Sequence, residues 1–63
     1  MNVKYLIRKH GKQLEVYAQY AVNSMDRDTP VYISALREMG NDAAADKIES
    51  QWIANIGDST GEL

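Results

Sequence analysis

Val3, Leu6, Ile7, His10, Leu14, Tyr17, Ala18, Ala21, Val22 and Met25 recur at steps of three and four. At about 100° per residue they share one flank, with most polar residues opposite, which predicts an amphipathic helix over the first 25 residues. A period of two competes with this. Leu14, Val16, Ala18, Tyr20 and Val22 alternate with Gln13, Glu15, Tyr17, Gln19 and Ala21. A turn at His10-Gly11 would then pair Ile7 with Leu14, Tyr5 with Val16 and Val3 with Ala18 in a β-hairpin. The helix is preferred because it places Leu6, Ala21 and Met25, and because a lone two-stranded hairpin is weak in water. Gly11 costs about 1 kcal/mol inside a helix relative to alanine, so it marks a kink or a close crossing by another backbone. Arg8-Lys9-His10-Gly11 also has the character of a helix end, which leaves two segments open.

Punctuation is clearer downstream. Thr29 is placed to cap a helix with its hydroxyl, and Pro30 suits the first helical position. Val31, Tyr32, Ala35, Leu36 and Met39 then recur at helical spacing, and Gly40 stands where a left-handed residue closes a helix. The helix is expected from Pro30 to Met39. Asn41 caps the next one, with Asp42 and Asp46 near its positive end. Ala45, Ile48, Trp52 and Ile56 carry its apolar side, flanked by Ala44 and Ile53, and Gly57 is expected to end it. The short Met39-Gly40-Asn41 link folds the pair into an αα-hairpin. The expected fold is therefore all-α: a small bundle of about three helices, the long first one kinked at Gly11, spanning residues 1–57. Residues 58–63 are expected to form a flexible tail. A β-hairpin followed by two helices is the alternative.

A chain of 63 residues is one domain at most and only marginally stable by itself. With no cysteine and one histidine, neither a disulfide nor a thiolate or multi-histidine metal site is available as a staple. Self-association through the first helix and the neighbourhood of Trp52 is the remaining option, so a homodimer is expected. No apolar run reaches the ~18 residues of a membrane span, and Met1 to Lys12 has no export signal. A cytoplasmic protein without membrane contact is expected.

The net charge of −2 conceals a segregation. Lys4, Arg8, Lys9 and Lys12 stand in the first twelve residues without an acid. Glu38, Asp42, Asp46, Glu49, Asp58 and Glu62 face Lys47 alone in the last part of the chain. Either the two ends pack together, within the chain or across a dimer, or one of them meets a charged partner.

Catalytic constellations fail on inspection. Gly57-Asp58-Ser59-Thr60-Gly61 matches G-x-S-x-G, but that motif needs a preceding strand, a following helix and a later acid and histidine. Asp26-Arg27-Asp28 opens like a calcium loop, yet Val31 stands where glycine is required and Arg37 where a bidentate glutamate belongs. Asp42, Asp46 and Glu49 share a helical face that is better read as solvated than as a cation site. His10 reads as a boundary residue of the apolar stripe. No catalytic residue, cofactor or metal is expected, and the chain is read as non-enzymatic.

Two sets of residues remain as contact candidates. Tyr5, Val16 and Tyr20 lie opposite the main stripe, and Trp52 is the largest apolar side chain of the last helix. Aromatic residues of this kind are enriched at interface centres. Lys4, Arg8, Lys9 and Lys12 could contact phosphates. The acidic balance of the whole chain, pI ≈ 5.1, weighs against nucleic-acid binding, which is the alternative reading.

The opening Met1-Asn2-Val3-Lys4-Tyr5-Leu6-Ile7-Arg8-Lys9-His10-Gly11, the stretch Asp26-Arg27-Asp28-Thr29-Pro30-Val31-Tyr32 and the chain length resemble the small early proteins of lambdoid bacteriophages encoded between the exonuclease and excisionase genes. The resemblance spans essentially the whole chain and rests on overall sequence, not on a defined motif. It implies a non-enzymatic, dimeric protein of the host cytoplasm that binds a host or phage protein and biases development toward lysis. It carries no catalytic motif.

Overall fold

The computed structural model describes residues 2–60, with side-chain surroundings through residue 57. Helix α1 runs Val3–His10, a 3₁₀ turn covers Gly11–Gln13, and α2 follows at Leu14–Asn23. Helix α3 is Thr29–Glu38 and α4 is Asp42–Thr60. The protein is a small all-α bundle. The hairpin alternative finds no support, because both segments that would pair as strands are helical.

Asn2 opens α1 from an extended backbone, its Oδ1 accepting from the Tyr5 amide at 2.8 Å. The amphipathic stretch is not one straight cylinder. Gly11 takes φ 54° and ψ −128°, a conformation that side chains resist, and its amide donates to the Ile7 carbonyl. The chain is thus re-aimed between two helices, and both halves still bury their inner leucines, Leu6 and Leu14, completely.

Helices α2 and α3 end in the same way. At α3, Gly40 (φ 84°) donates to Arg37 O at 3.0 Å and Asn41 donates to Leu36 O at 2.9 Å. These are the paired bonds of a Schellman cap, in the place expected for Gly40. At α2 the left-handed position is held by Met25 (φ 54°), whose amide meets Val22 O at 3.1 Å, while Asp26 donates to Ala21 O at 2.9 Å. Met25 therefore leaves the apolar flank and is 47 % exposed.

Two local expectations are corrected. Thr29 does not cap α3 by accepting from an amide. It is the first residue of the helix, fully buried, and its hydroxyl donates to the Asp26 carbonyl at 2.6 Å. Gly57 does not end α4, which continues to Thr60; glycine stops a helix by turning left-handed, and Gly57 has no positive φ. Residues 58–60, expected in a flexible tail, are thus helical in backbone, and residues 61–63 lie outside the described part.

One core unites the helices: Leu6, Leu14, Ala18, Val22, Ile33, Ala35, Leu36, Ala44, Ala45 and Ile48, with Val3, Ile7, Val31, Tyr32 and Trp52 packed against it. The four alanines are small enough to let helix backbones approach closely. Helix α3 is central, touching α1, α2 and α4, and α2 also touches α4, whereas among the described residues α1 and α4 do not meet. Most of the stripe from Val3 to Val22 is accordingly covered by the chain's own α3 and α4, with Tyr17 left 41 % exposed. The need for a second chain over that flank, on which the expected homodimer partly rested, is largely met internally.

Candidate interaction surface

Val16 and Tyr20 stand one turn apart on the outer side of α2, 50 % and 64 % exposed. Opposite them α4 contributes Ala44, Lys47 and Ile48, and between the helices lies an open groove of about 290 Å³ whose polar edge is Glu15 and Gln19. Side-chain bonds hold its walls at a set distance. Gln19 Nε2 donates to Gln51 Oε1 at 2.7 Å, Asn55 Nδ2 to the Val22 carbonyl at 3.1 Å, and Asn41 Nδ2 to Glu15 Oε1 at 3.3 Å. All three bonds run from α2 to α4 or to the residue just before it, so the groove belongs to the packed bundle and not to a loop.

A second hollow of about 260 Å³ lies between α3 and α4, lined by Pro30, Ile33, Ser34, Trp52 and Ile53 with Arg37 and Glu49 at its edge. Trp52 is half-buried: part of it packs on the core and part faces this hollow. Ile53 and Ile56 beside it are 61 % and 39 % exposed.

The four predicted contact residues therefore do not form one patch. Val16 and Tyr20 share a groove, Trp52 faces the other hollow, and Tyr5 lines neither. Tyr5 sits on the outside of α1 with Lys9 Nζ 5.5 Å from its ring centroid. Sequence reasoning missed Ala44, Lys47 and Ile48 as the opposite wall of the first groove. Their helical spacing was visible, but which side of α4 would be shared with α2 depends on packing.

The charged residues also separate. Two acids of α4 are met by α3: Arg37 Nη1 reaches Asp46 Oδ1 at 3.1 Å and Nη2 reaches Glu49 Oε1 at 2.9 Å. The hydrogen bond to Asp46 raises the Arg37 guanidinium above its usual range; burial opposes this and the charges of Glu49, Asp46 and Asp42 reinforce it. A cation on the Asp46–Glu49 face is thus supplied by the protein itself. Lys4, Arg8, Lys9 and Lys12 are all exposed and make no ion pair with a described acid. Among the described residues neither α1 nor the 3₁₀ turn is in contact with α4, so Lys4, Arg8, Lys9 and Lys12 do not pack against Asp42, Asp46 or Glu49 within the chain; Asp58 and Glu62 lie outside the described side chains.

The remaining motifs have structural roles. Asp26 Oδ1 accepts from the Asp28 amide at 2.9 Å, so the calcium-like acids shape the α2–α3 turn. His10 is half-buried between two rings, Tyr17 at 4.0 Å and Tyr32 at 6.3 Å between centroids. The backbone from Gly57 to Thr60 is helical, which does not provide the strand-to-helix turn of a nucleophile elbow. Among the described residues there is no cluster of histidine and carboxylate groups suited to a metal ion, and no helix long and apolar enough to cross a membrane.

Comparison of the chain with protein-family models, with curated proteins and with solved structures finds no match in any of the three.

Proposed function

We propose that the protein is a small non-enzymatic interaction module that acts in the host cytoplasm by binding a host or phage protein, with an influence on lytic development. The observation that supports this reading is the groove between α2 and α4, where Val16 and Tyr20 stay exposed above Ala44 and Ile48. An exposed tyrosine next to an aliphatic trough suits an interface centre, because Tyr combines apolar area with a polar tip at small entropic cost. The groove accepts the apolar edge of a partner helix, with Lys47 and Glu15 at its rim for charged neighbours. The phage and lytic parts of the reading come from the sequence resemblance alone.

Self-association belongs to the same proposal in a narrower form. With most of the first stripe covered internally, the homodimer face is the exposed Ile53 and Ile56 beside Trp52.

The test is affinity capture from phage-infected cells with the wild-type chain and with Val16→Asp and Tyr20→Ser, followed by titration of each captured protein with purified chain. A partner that binds the wild type directly and is lost from both variants supports the reading. Identical capture by all three chains sinks it. Sedimentation of Ile53→Asp against wild type decides the homodimer: a lighter variant supports the Trp52 face, and a monomeric wild type at high concentration removes self-association.

A further inference from the structure

We propose that α1 and the 3₁₀ turn form a surface for single-stranded nucleic acid, with Lys4, Arg8, Lys9 and Lys12 set against phosphates and Tyr5 stacked on a base. The surface is distinct from the α2–α4 groove, since among the described residues α1 does not touch α4.

Four observations lead there. Residues 2–14 hold these four cations, all exposed, and no acid. None of the four is neutralised by an ion pair with a described residue. Lys4 and Arg8 are one helical turn apart on the same flank, about 6 Å along the axis. Tyr5 is 44 % exposed beside them, with the Lys9 ammonium against its ring. Cations set beside an exposed aromatic ring are the chemistry of sequence-tolerant strand binding: the charges follow the backbone, and the ring takes a base as the Lys9 ammonium swings from its face to a phosphate.

The overall acidity of the chain argues against this only if charge is taken as a sum. The structure separates part of the charge. Asp46 and Glu49 are turned to Arg37 on the α3–α4 side, and among the described residues α1 does not touch α4. The nearer acids have roles of their own: Glu15 accepts from Asn41 Nδ2, and Asp26 shapes the α2–α3 turn. With screening over about 8 Å at physiological salt, a ligand on α1 responds chiefly to the local cations. Three other polyanions fit less well. An anionic membrane would need an apolar face to insert, but Leu6 is fully buried and Val3 and Ile7 pack on the core. An acidic peptide would use the charges and leave the tyrosine ring idle. A duplex holds its bases in the stack, away from Tyr5.

Fluorescence anisotropy with a short labelled DNA strand of mixed sequence tests the proposal. Four phosphate contacts to a single strand give a log–log salt slope of about −2.8, or about fiftyfold weaker binding between about 50 and 200 mM salt. Lys4→Gln with Arg8→Gln should halve that slope. Tyr5→Leu should weaken binding by about fivefold or more at constant salt. Arg27→Gln removes one positive charge from the exposed α2–α3 loop, against two in the double variant, and should leave binding unchanged, whereas Lys4→Gln or Arg8→Gln alone should each weaken it. All variants change exposed positions, and circular dichroism checks that each is folded. The proposal is overturned if no strand binds at about 50 mM salt, or if Arg27→Gln is as harmful as the α1 variants. It is equally overturned if a duplex of the same sequence binds as tightly while Tyr5→Leu is silent, or if polyglutamate or anionic vesicles bind more tightly than the strand.

Discussion

The imidazole of His10 lies nearly flat against the ring of Tyr17, with centroids 4.0 Å apart and planes inclined by 27°. The pair bridges the break at Gly11, joining the last residue of α1 to the first turn of α2. Stacked pairs contribute about 0.5–1.5 kcal/mol beyond the area they bury. A double-mutant cycle with His10→Ala and Tyr17→Leu, read by thermal or urea unfolding, should return a coupling of that order. Strict additivity would show that the rings are neighbours without energetic consequence.

Gly11 provides a test whose sign distinguishes two folds. In one continuous helix, Gly11→Ala would stabilise by about 1 kcal/mol. In the broken arrangement a side chain must adopt φ 54°, and the loss is about 1–2 kcal/mol although the added Cβ meets no atom within 4 Å. A lower melting temperature for Gly11→Ala is the expected outcome, and a higher one is incompatible with the observed break.

Met25→Gly should act in the opposite direction. Met25 occupies the left-handed position of the α2 cap and is substantially exposed, so little packing is forfeited. Relief of backbone strain is worth about 1 kcal/mol, reduced by the greater freedom of glycine in the unfolded chain. The midpoint of urea unfolding should rise, and a fall would indicate that the methionine packs usefully.

Leu6 and Leu14 carry the two halves of the amphipathic stretch into one core, both with no exposed surface. Truncation of either to alanine should cost about 2–5 kcal/mol. That is a large share of the stability of a domain this small, so each variant should be largely unfolded by circular dichroism at room temperature. Survival of Leu6→Ala with unchanged helicity would mean that α1 is not integral to the core.

Tyr32 predicts alkaline behaviour. Its phenol is raised above the ordinary value by desolvation first, then by Asp26 and Asp28, with Lys9 opposing. A raised folded value means that the native state holds its proton more tightly than the unfolded chain. The contribution is complete below about pH 10, the unfolded value, and is lost as pH rises through the folded one. Stability should therefore decline above pH 10, and Tyr32→Phe should flatten that decline. An identical alkaline profile for both proteins would exclude Tyr32 as the cause.

Much of this bundle is legible in the order of residues. The three- and four-step recurrence of apolar positions, the Pro30 start and the Gly40 stop are local signals, because helix periodicity, a missing amide and a left-handed turn are properties of neighbouring residues. They define the helices and the αα-hairpin. The division of basic and acidic residues between the ends of the chain is equally local. Packing decided the rest. Period two and period three-to-four coexist between Leu14 and Val22; the sequence favours the helical one, and the burial of Leu14, Ala18 and Val22 in the shared core fixes it. Gly11 is compatible with a kink, a crossing or a break until α1 and α2 must both cover α3. Whether Val16 and Tyr20 face empty solvent or form one wall of a groove depends on which side of α4 comes alongside, and that choice is made by contacts between residues more than twenty positions apart, such as Gln19 with Gln51. Local sequence cannot specify such pairings, because their energy exists only once the helices have met.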